Sequence, residues 1–193
     1  MTFTRTLIAT CTVALMATSA LAMTSAEHKA AKASISADYK MNKQKCDALQ
    51  ANAKDICVKE AKGTEDVAKA ELEAQYKPGA KASQKVAEAR ADAAYAVAKE
   101  KCDDLTGNTK DICVRDAKAE HVKAKENAKV AAAQAKPADS PAEKAANVAG
   151  ARKDAAAEKN EANYKATKER CDTMTGDLKS KCVDDAKRMY GQS

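Results

Sequence analysis

The sequence predicts an all-α protein: three disulfide-stapled αα-hairpin repeats, elongated or loosely bundled. Three observations carry that expectation. The chain is rich in helix formers and poor in core residues, one segment of it recurs three times, and six cysteines recur with that segment. From Met23 onward the valines, isoleucines, leucines and phenylalanines sum to only 16 of 171 residues. That is well under the ~20% that separates globular from weakly folding compositions. Tryptophan is absent and alanine supplies most of the apolar share. Alanine is the best helix former, with Lys, Glu and Gln close behind. Such a chain forms long solvated helices that meet along narrow seams. Its 34 basic and 28 acidic residues alternate in sign and leave a formal net charge of +6. No block of like charge marks a specific nucleic-acid partner.

The first element, residues 1–22, reads as a cleavable signal peptide. "MTFTR" is a short basic start, the run Thr6–Ala17 is apolar, and Ala20 and Ala22 are the small residues of a cleavage site. A membrane span needs ~20 apolar residues, so no transmembrane segment is expected in the mature chain. Cys11 reads as a small residue of the apolar run. Acylation is disfavoured because the run continues past it and Thr10 suits that chemistry poorly. Cleavage near Ala22 makes the protein periplasmic or secreted. It also leaves an even six cysteines: Cys46, Cys57, Cys102, Cys113, Cys171 and Cys182. An oxidising compartment favours their pairing.

The three hairpins follow. "YKMNKQKCDALQANAKDICVKEAK" (39–62), "YAVAKEKCDDLTGNTKDICVRDAK" (95–118) and "YKATKERCDTMTGDLKSKCVDDAK" (164–187) share identical internal spacing. Each places Tyr seven residues before the first Cys, Asp directly after it, and a second Cys eleven residues on. Repeats at fixed spacing mark duplication of one supersecondary unit. Pro78-Gly79 and "KPADSPAE" punctuate the chain, which gives repeats over 23–78, 79–137 and 138–193. Ser140-Pro141-Ala142-Glu143 reads as a capped helix start with proline first.

Within each copy the eleven-residue cysteine spacing fits either one face of an unbroken helix or the two arms of a hairpin. The middle of each copy favours the hairpin. Gly107 and Gly176 (Ala51 in the first copy) stand where a helix stops, because glycine readily takes the left-handed conformation. Asn52, Asn108 and Asp177 follow as N-cap residues. The cysteines then face each other near the closed end, and consecutive pairing is expected from among fifteen connectivities. The first arm carries a stripe at 3-4-3 spacing. Its seam residues are Tyr39 and Leu49, Tyr95 and Leu105, Tyr164 and Met174.

The chemistry expected of these residues is structural. A catalytic thiol–disulfide pair uses a C-x-x-C spacing at a helix start, whereas ten residues separate each pair here. A structural zinc takes four ligands from two close pairs, and the only histidines, His28 and His121, do not repeat between copies. Both read as solvated helix residues. Asp47, Asp103 and Asp172 suit a bond to the turn or to a lysine of the second arm, such as Lys54 or Lys110. No nucleophile–base pair, phosphate-cradling loop or zinc protease motif is present. No enzyme activity, cofactor or metal is expected.

At "CDALQANAKDICVKEAK" and "CDDLTGNTKDICVRDAK" the chain resembles a group of small exported proteobacterial proteins with Ala/Lys/Glu-rich helices and repeated Cys-x10-Cys hairpins. Some of these are labelled TolA-like or cell-envelope biogenesis proteins. The resemblance covers most of the mature chain and implies an envelope setting without catalytic residues. The function expected first is a non-enzymatic periplasmic helical spacer or interaction protein of the cell envelope, stress-related, with an envelope protein or polymer as partner. Two alternatives stand beside it. One is an electrostatic binder of anionic envelope polymers or lipid headgroups. The other is metal sequestration by reduced Cys with Asp and His.

Overall fold

The computed structural model describes residues 23–192; the expected signal peptide, with Cys11, lies outside the described residues. The described residues form six α-helices: α1 (Ser25–Lys45), α2 (Ala51–Tyr76), α3 (Ala80–Cys102), α4 (Gly107–Ala135), α5 (Pro141–Cys171) and α6 (Gly176–Tyr190). A 3-10 turn, Cys46–Ala48, follows α1. Thr24 and Glu27 open α1 reciprocally: Glu27 N–H donates to Thr24 Oγ1 (3.2 Å), and Thr24 N–H donates to Glu27 Oε2 (2.8 Å). This capping box satisfies two of the free N–H groups that every helix start leaves. Ser140 accepts from Glu143 N–H at 3.1 Å with Pro141 first in α5, as the sequence predicts. Pro78 ends α2, because the residue before a proline is pushed out of helical geometry; Lys77 has φ −133° and ψ 80°.

Among the described residues each helix packs against its chain neighbours and no others, so the six form one layer of antiparallel rods rather than a closed bundle. The contacts continue across the boundaries between hairpins. Between α2 and α3, Asn52 Nδ2 donates to the Glu100 carbonyl (2.9 Å), and Lys59 and Lys101 pair with Glu100 (3.6 Å) and Glu60 (3.8 Å). Between α4 and α5, Arg115 pairs with Glu169 (3.1 Å) and Arg170 with Asp116 (2.6 Å). The scarcity of aliphatic residues favours separate hairpins strung like beads or a loose, elongated array; of these the structure shows an elongated array in which the hairpins dock. The same contacts fix the geometry of the site. All three disulfide turns lie at one end of the layer, and the Pro78-Gly79 and 136–140 connections lie at the other.

The seams explain how so few large residues suffice. Ala61, Ala91, Ala119, Ala128, Ala155, Ala166 and Ala186 are buried, and Leu72 is the one large aliphatic among the buried residues. Alanine lets helix backbones come close, and at Gly63 the approach is closer still: a Cβ added there would lie 2.7 Å from Ala93 Cβ. Two carboxylates share the seams, each with a partner, as a buried charge requires. Glu65 bonds Lys69 (2.6 Å) and Lys62 (3.1 Å), and Glu126 bonds Lys129 (2.5 Å). The Lys69 and Lys62 ammoniums hold Glu65 below the usual carboxylate range despite its burial.

Candidate functional site

The site with repeated geometry is the stapled end. Three disulfides join Cys46 to Cys57, Cys102 to Cys113 and Cys171 to Cys182, with Cα–Cα distances of 5.6, 5.7 and 5.6 Å. These fall in the ordinary range for a disulfide. The consecutive pairing is the one expected from the hairpin reading. Cys46, Cys102 and Cys171 are fully buried. Past each of them the chain turns identically. The N–H of Leu49, Leu105 or Met174 donates back to the cysteine carbonyl at 3.0, 3.0 and 2.9 Å. An extended residue follows (Gln50, Thr106 or Thr175), then a left-handed one. That last residue is Ala51, Gly107 or Gly176, with φ of 49°, 56° and 58°.

A second clasp repeats with the first. Asp47, Asp103 and Asp172 pair with Lys54, Lys110 and Lys179 at 2.9, 2.8 and 2.8 Å. The lysine hydrogen bond holds Asp103 and Asp172 below the usual carboxylate range. Each carboxylate next to a first cysteine therefore clips its turn to the second arm.

Two expectations about this end are corrected. Asn52, Asn108 and Asp177 do not cap the second arm, because the helices already begin at Ala51, Gly107 and Gly176. The residues in the capping position, Gln50, Thr106 and Thr175, make no side-chain cap bond, and the Asn52 amide reaches the neighbouring hairpin instead. Leu49, Leu105 and Met174 do not sit in a seam either. The first arm stops at or beside its cysteine, so the 3-4-3 spacing runs past the helix end and delivers these side chains to the turn. They are 42%, 37% and 42% exposed, and Leu178 beside them is 71% exposed. After Met23 the sequence has four leucines, and three of them are displayed here.

The seam tyrosines do pack, all half-buried. Tyr95 stacks on His121 with ring centres 4.6 Å apart and lies under Lys118, and Tyr39 lies under Lys62. The histidines are corrected from solvated to enclosed. The His121 side chain is only 9% exposed, and its Nε2 lies 2.5 Å from Asp92 Oδ1. His28 stacks on Tyr76 at 4.4 Å and sits 3.0 Å from Glu73. Partial burial raises the Asp92 carboxyl, but the His121 bond and Lys125 outweigh it and hold Asp92 below the usual range. At α6 the facing residue is Tyr190, whose hydroxyl accepts from Thr167 (3.3 Å). His121 and Tyr190 both stand eight residues past a second cysteine, so a comparison of the copies beyond the obvious repeat would have found this position.

With six sulfurs bonded in pairs, the thiolates that metal sequestration requires are consumed. Among the described residues no group of three or more His, Cys, Asp and Glu side chains is arranged to hold a metal ion. No helix of the described chain is long and apolar enough to cross a membrane. Three disulfides fit an oxidising, extracytoplasmic setting. No protein-family model, curated protein or solved structure matches this chain.

Proposed function

We propose that the protein is a non-enzymatic helical spacer and interaction protein of the periplasm, with the stapled end as its contact surface. One observation carries this reading: three turns in a row, each clipped twice, present Leu49, Leu105 and Met174 to solvent at the same repeat position. Apolar residues gathered on one exposed face mark an interaction site, and in this chain leucine and methionine are scarce. The one-layer array separates that end from the opposite one by roughly the length of α2, ~39 Å at 1.5 Å per residue over 26 residues. Signal cleavage at Ala22 and action on an envelope protein or polymer under stress complete the proposal.

The test places a photo-crosslinking residue at position 49, 105 or 174, with position 153 on exposed α5 surface as control. Adducts in the periplasmic fraction from the three turn positions, and none from position 153, are expected. No adduct from the turns, or equal adducts from all four sites, would overturn the reading. N-terminal sequencing of the exported chain is expected to begin at Met23.

A further inference from the structure

The end opposite the staples carries a different chemistry. Where Lys77, Pro78 and Gly79 join α2 to α3, a groove of about 440 Å³ opens among α1, α2 and α3. Lys32 enters it from α1, Lys69 and Lys77 from α2 and its end, and Lys81 and Lys85 from α3; Glu73 is the one acidic residue of the lining. Glu73 is already engaged, 3.0 Å from His28 and 3.9 Å from Lys32, and Lys69 bonds Glu65. Lys77, Lys81 and Lys85 are exposed and make no ion pair among the described residues. The contrast with the stapled end is direct, because there each repeated aspartate has its own lysine.

With Lys69 held by Glu65 and Lys32 beside Glu73, the unpaired ammoniums of Lys77, Lys81 and Lys85 repel one another and focus a positive potential into the groove. Alanines 70, 74 and 82 fill the rest of the lining and offer no side-chain acceptor to satisfy the lysines. Lysine binds phosphate as a point charge, and Lys81 and Lys85 stand one turn apart, ~6 Å along α3. We infer that this groove binds an anion carrying several phosphoryl groups, either free in solution or displayed on a lipid headgroup. The inference does not depend on the stapled end, and failure of the crosslinking experiment leaves it standing.

The test uses the full mature chain with tripolyphosphate, followed by calorimetry at low and at near-physiological salt. Lys77→Gln/Lys81→Gln/Lys85→Gln is expected to weaken binding about tenfold or more, because the lysines act directly on the ligand charge. Lys29→Gln/Lys40→Gln/Lys43→Gln removes the same charge from α1, outside the groove, and is expected to change binding only slightly. All six positions are exposed, and circular dichroism checks that both variants keep their helices. A second arm measures flotation with vesicles of phosphatidylcholine and a phosphatidylinositol bisphosphate. Groove-dependent binding of tripolyphosphate alone assigns a soluble ligand; groove-dependent flotation assigns a headgroup. Absence of both, or equal loss in the two triple variants, overturns the assignment.

Discussion

Replacing Gly63 by alanine asks whether neighbouring hairpins dock, and the answer lies in the sign of the effect. In a helix that packs against nothing, Gly→Ala stabilises by about 1 kcal/mol, because glycine gives up more backbone freedom on folding. In the docked array the new methyl would stand 2.7 Å from Ala93 Cβ and 3.3 Å from Ala93 Cα. Carbon atoms prefer separations of about 3.5–4.0 Å, so α2 and α3 must part by close to an ångström. Overpacking of this kind costs about 1–3 kcal/mol. The net for Gly63→Ala is therefore a destabilisation of about 0–2 kcal/mol, by subtraction of the helix-propensity gain from the packing cost. A double-mutant cycle with Ala93→Gly sharpens the measurement. The two propensity changes cancel, and the coupling energy reports the steric contact alone, at about 1–3 kcal/mol. Urea unfolding followed by helix signal, with the disulfides intact, supplies the four free energies. If Gly63→Ala stabilises by the full propensity increment and the cycle is additive within about 0.5 kcal/mol, α2 and α3 do not dock and the single-layer array is wrong.

Non-reducing peptide mapping is expected to recover Cys46–Cys57, Cys102–Cys113 and Cys171–Cys182 alone; a peptide joining Cys46 to Cys113 would refute the hairpin geometry. Each bond closes an eleven-residue separation, worth about 3 kcal/mol in the chain-entropy account. Reduction should therefore lower unfolding stability by several kcal/mol, and a loss under about 1 kcal/mol in total would show that the seams hold the array unaided. Ala51→Gly is expected to stabilise by about 1 kcal/mol, since Ala51 sits at φ 49° where its repeats carry glycine. Thermal melts read this directly, and a neutral or lower melting point would mean that the left-handed turn of the first hairpin is not strained.

The hairpin was legible because duplication prints the same turn three times, and the Cys-Asp, Gly-Asn and second Cys positions align only if a turn lies between them. Even the Asp47–Lys54 clasp followed, since antiparallel arms bring a residue just before the turn beside one just after it. Docking between hairpins was not legible. It rests on alanine seams, and an alanine such as Ala91 in a seam is the same letter as one on a solvated face, so no hydrophobic period marks the interface. The enclosed histidines were missed for a related reason: a stacked imidazole needs a tyrosine from the facing helix, and pattern along one helix does not supply it.

Leu49, Leu105 and Met174 lie off the seam because the stripe of spacing continues past the point where the helix ends, so their side chains reach the turn instead. Buried alanines, one buried leucine, half-buried valines and isoleucines and three staples close the array. Three copies hold an apolar side chain at the same exposed place, beside a disulfide and an ion pair that keep the turn from moving. A part-exposed apolar side chain repeated at one place in three copies supports the proposed contact surface. On that ground we place the proposed protein contact at the stapled end rather than along the helical shafts.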